Sequence, residues 1–304
     1  MSTKAVKLRA FRINQTSELS TEDRSLISLL RQVFTPDSIV QDRRMQLNEV
    51  EDEEDVLPFF RWNTDKSFVF GMVMRVLKND ITQGIPSDLY DRESFSISDI
   101  DGAEGIDTCK SFYYIALNEN FLVTNLPGNF PINRVETYIN YLVREQRRGI
   151  YNFVPVMTVP EGLPLSQIRK IVVGENISLN ASTEGIGSSI KTLSKEAIAH
   201  LLGENPNITE LTERDIIRAD LVLKFRKKPS DMSKEDYERL LGQMTHPLSD
   251  DTGICIVTKQ NKKISGSEIR REKRVTVDTT ETGRFNEVNL MQEMELFITE
   301  LMRE

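Results

Sequence analysis

The stretch Ser111 to Glu145, SFYYIALNENFLVTNLPGNFPINRVETYINYLVRE, decides the fold. Phe112, Tyr114 and Ala116 alternate with Tyr113, Ile115 and Leu117, aromatic and aliphatic on both phases. That is the pattern of a strand buried on both faces. Asn118-Glu119-Asn120 supplies a turn, because Asn tolerates left-handed backbone angles. Phe121 to Leu126 returns as a second strand, and Pro127-Gly128 breaks it. Beyond Pro131, apolar residues at Val135, Tyr138, Ile139, Leu142 and Val143 recur at helical spacing. Arg144, Arg147 and Arg148 fall where the last turn of that helix is expected, before Gly149, and would complement the helix dipole there. The unit is scaffold by composition, with no catalytic residue type in it.

Working outward, the chain is 304 residues long, room for one large or two medium domains. Its 38% hydrophobic and 28% charged residues are ordinary for a soluble globular protein. Cys109 and Cys255 stand alone, which excludes a disulfide framework and a Cys-rich zinc site. His200 and His246 are too scattered for a typical zinc site. No signal peptide and no long apolar run is evident, so a soluble cytoplasmic protein is expected. The net charge of −8 gives no general attraction to nucleic acid. The charge is uneven, however. Glu49 to Asp55 (EVEDEED) is acidic and reads as a solvated loop. Lys259 to Arg274 (KQNKKISGSEIRREKR) is basic, and Lys224, Arg226, Lys227 and Lys228 form another basic cluster.

Before the opening stretch, Val6 to Asn14 alternates as a strand. Ser20 to Asp23 resembles a helix cap ahead of the apolar run Leu26 to Val33. Leu57 to Leu77 reads as a hairpin turning at Asn63 to Lys66. Its aromatics Phe59, Trp62, Phe68 and Phe70 are read as core in preference to a base-stacking platform. After it, YNFVPVMTV (151–159) is an edge or bent strand because of Pro155. QIRKIVV (167–173), Ile216 to Lys227 and Gly253 to Lys259 are strands. Helices at 194–202 and 234–244 are expected between them, capped by Ser194 and Ser233. Ile269 to Asp278 is a charged, exposed strand. Asn286 to Arg303 is a helix with an apolar stripe of Val288, Met291, Met294, Phe297, Ile298, Leu301 and Met302. The expected fold class is α+β: a β-rich N-terminal domain with packed helices (1–160), a smaller ferredoxin-like α/β domain (161–280), and a C-terminal helix (281–304) that packs on the core or at a dimer interface.

Chemistry is harder to find. Gly185-Ile186-Gly187-Ser188-Ser189 lacks the strand, spacing and lysine of a phosphate loop. No Gly-x-Ser-x-Gly elbow is present, and neither cysteine has a histidine partner evident in the sequence. His200 reads as a packed helix residue and His246 as a turn residue. A metal-dependent nuclease or toxin-like effector would use Asp220 with Lys224, but the next strand, GICIVTK, offers no carboxylate. No cofactor, metal or catalytic residue is therefore predicted. Binding is what remains. Three basic clusters stand at element ends: Arg144, Arg147 and Arg148; Lys224, Arg226 and Lys228; and Lys262, Lys263, Arg270, Arg271, Lys273 and Arg274. They read either as one surface that neutralises DNA phosphates or as three separate solvated ends. No helix-turn-helix, zinc-finger or RNA-recognition signature is present, so base-specific readout is not expected.

PFFRWNTDKSFVFGM, SFYYIALNENFLVTNLPGNFPINRVETYINYLV, YNFVPVMTV, QIRKIVV and DLVLKFRKKPSDMSKEDYERLL, in that order and followed by a long C-terminal helix, resemble the RexA family of phage exclusion proteins. The resemblance is one of pattern over most of the chain and rests on no diagnostic motif. KwaB-type subunits of membrane-associated phage-defence pairs are similar in the same way. The acidic run 49–55 departs from the RexA pattern. The resemblance implies a two-domain, homodimeric protein without catalytic residues that binds double-stranded DNA. Such a protein would sense phage DNA through nonspecific phosphate contacts and signal to a transmembrane effector, from the cytoplasm or recruited to the inner membrane by that partner.

Overall fold

The computed structural model describes residues 2–16, 25–47, 53–77, 87–96, 109–127, 132–147, 149–158, 168–174, 220–223, 233–234, 236–239, 253–281 and 283–303. They hold strands and helices in an α+β arrangement that divides into two compact units. The first comprises residues 1–127, 132–156 and 271–304. The second comprises 128–131 and 157–270.

The first unit is built on an eight-stranded antiparallel sheet. Its strands are β1 (Thr3–Thr16), β2 (Arg44–Gln46), β3 (Glu53–Trp62), β4 (Val69–Leu77), β5 (Cys109–Leu117), β6 (Phe121–Thr124), β7 (Ile150–Pro155) and β12 (Glu272–Asp278). The order is β12-β1-β6-β5-β4-β3-β2, with β7 also paired to β1. β1 is the spine. Thr3 to Arg9 pair with β12, Phe11 to Thr16 pair with β7, and Arg9 to Arg12 pair with β6. β12 lies within the span 161–280, yet its seven partners are in β1 at the N-terminus.

The opening stretch forms the expected strand, turn, strand and helix, although Phe112 is exposed. Tyr113 to Leu117 are all buried, and so are Phe121 to Thr124. The turn is closed by Asn118, whose Oδ1 accepts the backbone N–H of Asn120 (2.9 Å) and Phe121 (2.7 Å). The β3–β4 turn uses the same device. Asn63 Oδ1 accepts the Phe68 N–H and Asp65 Oδ1 the Ser67 N–H, both at 3.0 Å. Of the four hairpin aromatics, Phe59, Phe68 and Phe70 are buried, with Phe70 stacked on Tyr114 at 5.5 Å between centroids, while Trp62 is half-buried beside Phe34.

Among the described residues, four α-helices accompany this sheet or its surroundings in the first unit: α1 (Leu26–Val33), α2 (Ser87–Tyr90), α3 (Asn133–Leu142) and the C-terminal helix α5 (Glu287–Arg303). α1 is capped by Ser25; the cap expected at Ser20 to Asp23 lies outside the described residues. α5 buries Leu290, Met294, Phe297, Ile298 and Leu301 in one core with Val6, Leu8, Val275, Val277, Tyr114 and Val123. The helix therefore closes the core. Its stripe is rotated from the sequence expectation: Leu290 is buried, while Val288 and Met302 are exposed.

Three further expectations are corrected. Ile269 to Asp278 is not an exposed strand: β12 starts at Glu272, and Ile269, Val275 and Val277 are buried. α3 ends at Leu142, and no basic residue falls in its last turn. The backbone tightens into successive turns, with Arg144 N–H on Tyr141 O (3.1 Å) and Arg147 N–H on Val143 O (2.8 Å). The arginines therefore lie past the helix. The acidic run is not a loop over its last three residues. Glu53, Glu54 and Asp55 open β3, and Glu54 and Asp55 are buried. Each has arginine partners supplied from elsewhere in the chain, which is the condition for burying a carboxylate.

The second unit carries β8 (Ile168–Gly174), β9 (Asp220–Leu223), β10 (Gly253–Thr258) and β11 (Lys263–Ser265) in the order β11-β10-β8-β9, every pair antiparallel. Residues 234 and 236–239 are helical, and the Asp236 N–H bonds Ser233 Oγ at 3.1 Å, the expected cap. A short helix α4 (Gly266–Ile269) follows β11. The helix expected at 194–202, with His200, lies outside the described residues, as does His246. No helix among the described residues is long and apolar enough to cross a membrane.

Candidate nucleic-acid interface

The basic residues singled out from sequence fare differently. In the first unit most are engaged locally. The Arg144 guanidinium stacks on the Tyr141 ring at 3.9 Å, donates to Tyr141 O at 3.0 Å and lies 3.8 Å from the Glu145 carboxylate. Arg147 is half-buried and donates to Gly149 O. Lys273 pairs with Glu300 at 2.6 Å. Arg271 is half-buried, and its backbone N–H bonds Val156 O. Arg274 is exposed on β12. Arg148, Lys224, Arg226 and Lys228 lie outside the described residues.

The second unit holds Arg270, half-buried, and the exposed pair Lys262 and Lys263. These lysines belong to the β10–β11 hairpin, and its turn is tightly built. Thr258 N–H bonds Lys262 O (2.9 Å), Asn261 N–H bonds Thr258 O (2.9 Å), and Thr258 Oγ1 accepts the Lys262 N–H (3.0 Å). Asn261 takes the left-handed conformation at φ +61, which Asn tolerates better than most residues. Its Oδ1 accepts from Arg169 Nη1 at 3.0 Å, so β8 adds a cation to the tip. Arg169, Lys259, Lys262 and Lys263 are exposed, with Gln260 and Asn261 between them. Among the described residues, none of these four cations has a carboxylate within ion-pair distance.

Arg169 is not one of the residues that the sequence singles out. The signal is present: Gln167 to Val173 is a strand with a basic pair among aliphatics. Its neighbour, however, is set by pairing of Ile168 with Thr258, which no local pattern reveals.

A second cluster, which the sequence does not foreshadow, lies inside the first unit. Asp55, Arg75 and Ser111 occupy one row across β3, β4 and β5. Arg75 Nε and Nη2 donate to the two Asp55 oxygens, each at 2.9 Å. Arg134, from the first turn of α3, reaches Asp55 Oδ1 at 3.4 Å and Ser111 Oγ at 3.2 Å. Glu54 faces the other side of β3, where it pairs with Arg44 and accepts from Tyr90. Arg43 is fully buried, and its guanidinium is held by Leu57 O, Ser38 O and Oγ, and Glu93 O. Burial and the nearby Asp55 carboxylate push the Tyr113 hydroxyl to high pKa, so it stays protonated. Both buried carboxylates are matched by arginines, and Arg43 is held by neutral oxygen acceptors. The cluster holds β3, β4, β5 and α3 in register, and offers no exposed nucleophile or proton-transfer pair.

No group of three or more metal-binding side chains occurs among the described residues. Asp220 begins β9 opposite Gly174. No family model and no curated protein matches this chain.

Proposed function

We propose that this chain is the DNA-binding component of an anti-phage exclusion system, contacting the phosphates of double-stranded DNA without reading sequence. The observation that carries the reading is the β10–β11 hairpin. It presents Lys259, Lys262, Lys263 and Arg169 together on a turn braced by Thr258 and Asn261, with no described carboxylate to neutralise them. Cations held at a braced turn lose less conformational freedom on binding than cations on a free loop. Among the described residues no aromatic side chain stands at the tip, which fits phosphate contact better than the base-stacking platform of single-strand binders. The likeness to RexA-type and KwaB-type proteins adds the biological setting: a homodimer in the cytoplasm, sensing phage DNA and signalling to a transmembrane effector that recruits it to the inner membrane.

We also infer that the second unit is ferredoxin-like. β9 and β10 are each antiparallel to β8, so they run parallel to one another with β8 between them, and helical residues 234 and 236–239 lie in the connection. That is a split βαβ relation.

The test is retardation of duplex DNA over a salt series. Wild-type binding should weaken linearly in log–log form. The variant Lys259→Ala/Lys262→Ala/Lys263→Ala should lower the slope by about 0.9 for each phosphate it no longer neutralises. No retardation at low salt, or an unchanged slope in the variant, would remove the hairpin from the reading.

A further inference from the structure

The two strands that flank β1 end to end, β7 and β12, have differently finished outer edges. β7 is sealed by α3. Asn140 Nδ2 donates to Tyr151 O (2.7 Å), Asn140 Oδ1 accepts the Tyr151 N–H (2.9 Å), and Glu136 Oε2 accepts the Phe153 N–H (2.8 Å). Among the described residues, β12 is sealed only at its end, where the Asp278 N–H bonds Asn289 Oδ1 and the Asn286 N–H bonds Asp278 O.

The parity of the ladder tells which groups remain. Thr279 N–H bonds Ser2 O, and Ala10 N–H bonds Arg271 O. In the register of β1 with β12 these fall on the same phase as Val6 with Val275 and Leu8 with Lys273. Hydrogen-bonded pairs alternate along an antiparallel ladder. Glu272, Arg274 and Thr276 therefore turn their N–H and C=O groups away from β1. Among the described residues no strand lies beside them.

The side chains on this edge are also unbalanced. Arg274 stands directly opposite Lys7, and both are exposed. Like charges directly opposite one another are unfavourable. Glu272, the acidic residue of β12 nearest this pair, is committed to Lys7 at 2.7 Å. Lys7 is thus already neutralised, whereas Arg274 sits on the outer edge with, among the described residues, neither a carboxylate at ion-pair distance nor a strand beyond it.

We propose that the β12 edge is a docking site for an extended segment of a protein partner, added as a further antiparallel strand with a carboxylate side chain opposite Arg274. The added strand's backbone pairs with the outward groups of Glu272, Arg274 and Thr276, and its acid neutralises Arg274 in the place a cross-strand neighbour occupies. Charged residues on an edge also discourage indiscriminate pairing, and Arg274 favours a partner strand that carries an acid opposite it. The inference stands independently of the DNA-binding reading, whose cations lie on the β10–β11 hairpin.

The experiment uses the full-length protein and a short labelled peptide of alternating Thr and Val with one central Glu. The same peptide with central Lys, and an N-methylated copy that cannot form the ladder, serve as controls. Fluorescence anisotropy should show the Glu peptide binding, the N-methylated copy failing to bind, and the Lys peptide about tenfold weaker, the size of one favourable charge pair and one unfavourable pair together. Arg274→Glu should invert the order of the Glu and Lys peptides. Thr276→Pro should abolish binding while the protein stays folded, because the Thr276 N–H is not a rung of the ladder with β1. Equal affinity for both peptides, no binding of the Glu peptide, or unchanged affinity in Thr276→Pro overturns the proposal. It is equally overturned if duplex DNA displaces the peptide, which would make Arg274 a phosphate contact, or if Thr276→Pro converts a dimer to a monomer, which would give the edge to a second copy.

Discussion

Asp55 links β3, β4 and α3 through one carboxylate. It is fully buried, its two oxygens are held by Arg75, and Arg134 closes on the same carboxylate. Removing one partner of a buried ion pair leaves an uncompensated charge and costs about 3–5 kcal/mol. Asp55→Ala is therefore expected to destabilise the protein by that amount in urea denaturation, and a loss under about 1 kcal/mol, the range of an exposed pair, would show that water screens the cluster. Glu287 makes a different prediction. Burial raises its pKa above the ordinary carboxylate range, against the opposing pull of Arg61 and of the Tyr114 hydroxyl. The folded state thus holds this proton more tightly than the unfolded chain does. Its contribution to stability is complete below the ordinary glutamate pKa and is lost as pH rises through the raised native value. Glu287→Gln should flatten that part of the stability–pH curve, measured by thermal unfolding across the acid range. An identical slope in both proteins would refute the assignment.

At the scale of elements, close approach decides what each strand tolerates. A Cβ added at Gly71 in β4 would meet Phe59 O at 3.0 Å and the Leu57 side chain at 3.2 Å, beside the irregular register between Val56 and Phe59. Backbone cannot yield as a flexible side chain can, so Gly71→Ala should cost about 1–3 kcal/mol as an overpacking change. A neutral or stabilising result by chemical denaturation would mean that β3 shifts freely there. Phe297→Ala in α5 should cost about 3–5 kcal/mol, because a fully buried ring leaves a cavity between helix and sheet. These elements were legible in the sequence because their signals are local. The alternation in Ser111 to Leu117, the Asn118 turn and the 3.6 period of α3 each lie within one short window. The seven-residue pairing of β12 with β1 does not, since its partners stand at opposite ends of the chain. The acidic run misled for the same reason. Charge density at 49–55 signals solvent, whereas Arg44, Arg75 and Arg134, which bury Glu54 and Asp55, come from three other elements. Of the basic clusters, composition located Lys262 and Lys263 but could not distinguish them from Lys273, whose charge is matched by Glu300.

For the molecule as a whole, residues 157–270, all of the second unit but 128–131, form an insertion in the first. The chain leaves the first unit after Val156 and re-enters it at Arg271. Those two residues are hydrogen-bonded, Arg271 N–H to Val156 O at 2.8 Å, while β7 and β12 continue the same edge of β1 on either side. Replacing residues 157–270 by a short Gly/Ser turn therefore asks the linker to span almost no distance, and short closures add little entropy cost. The sheet, α3 and α5 keep every partner named for them, because the described residues of this core all belong to the first unit. The shortened protein should unfold in one cooperative transition and retain the near-ultraviolet dichroism of its buried tyrosines. It should no longer retard duplex DNA, since the hairpin with Lys259, Lys262 and Lys263 has gone, yet it should still bind the acidic peptide at β12. Loss of cooperativity would show that the first unit depends on the second for its fold. Retained DNA binding in a cooperatively folded product would move the interface to Arg144, Arg147 and Arg274, despite the local partners that engage the first two.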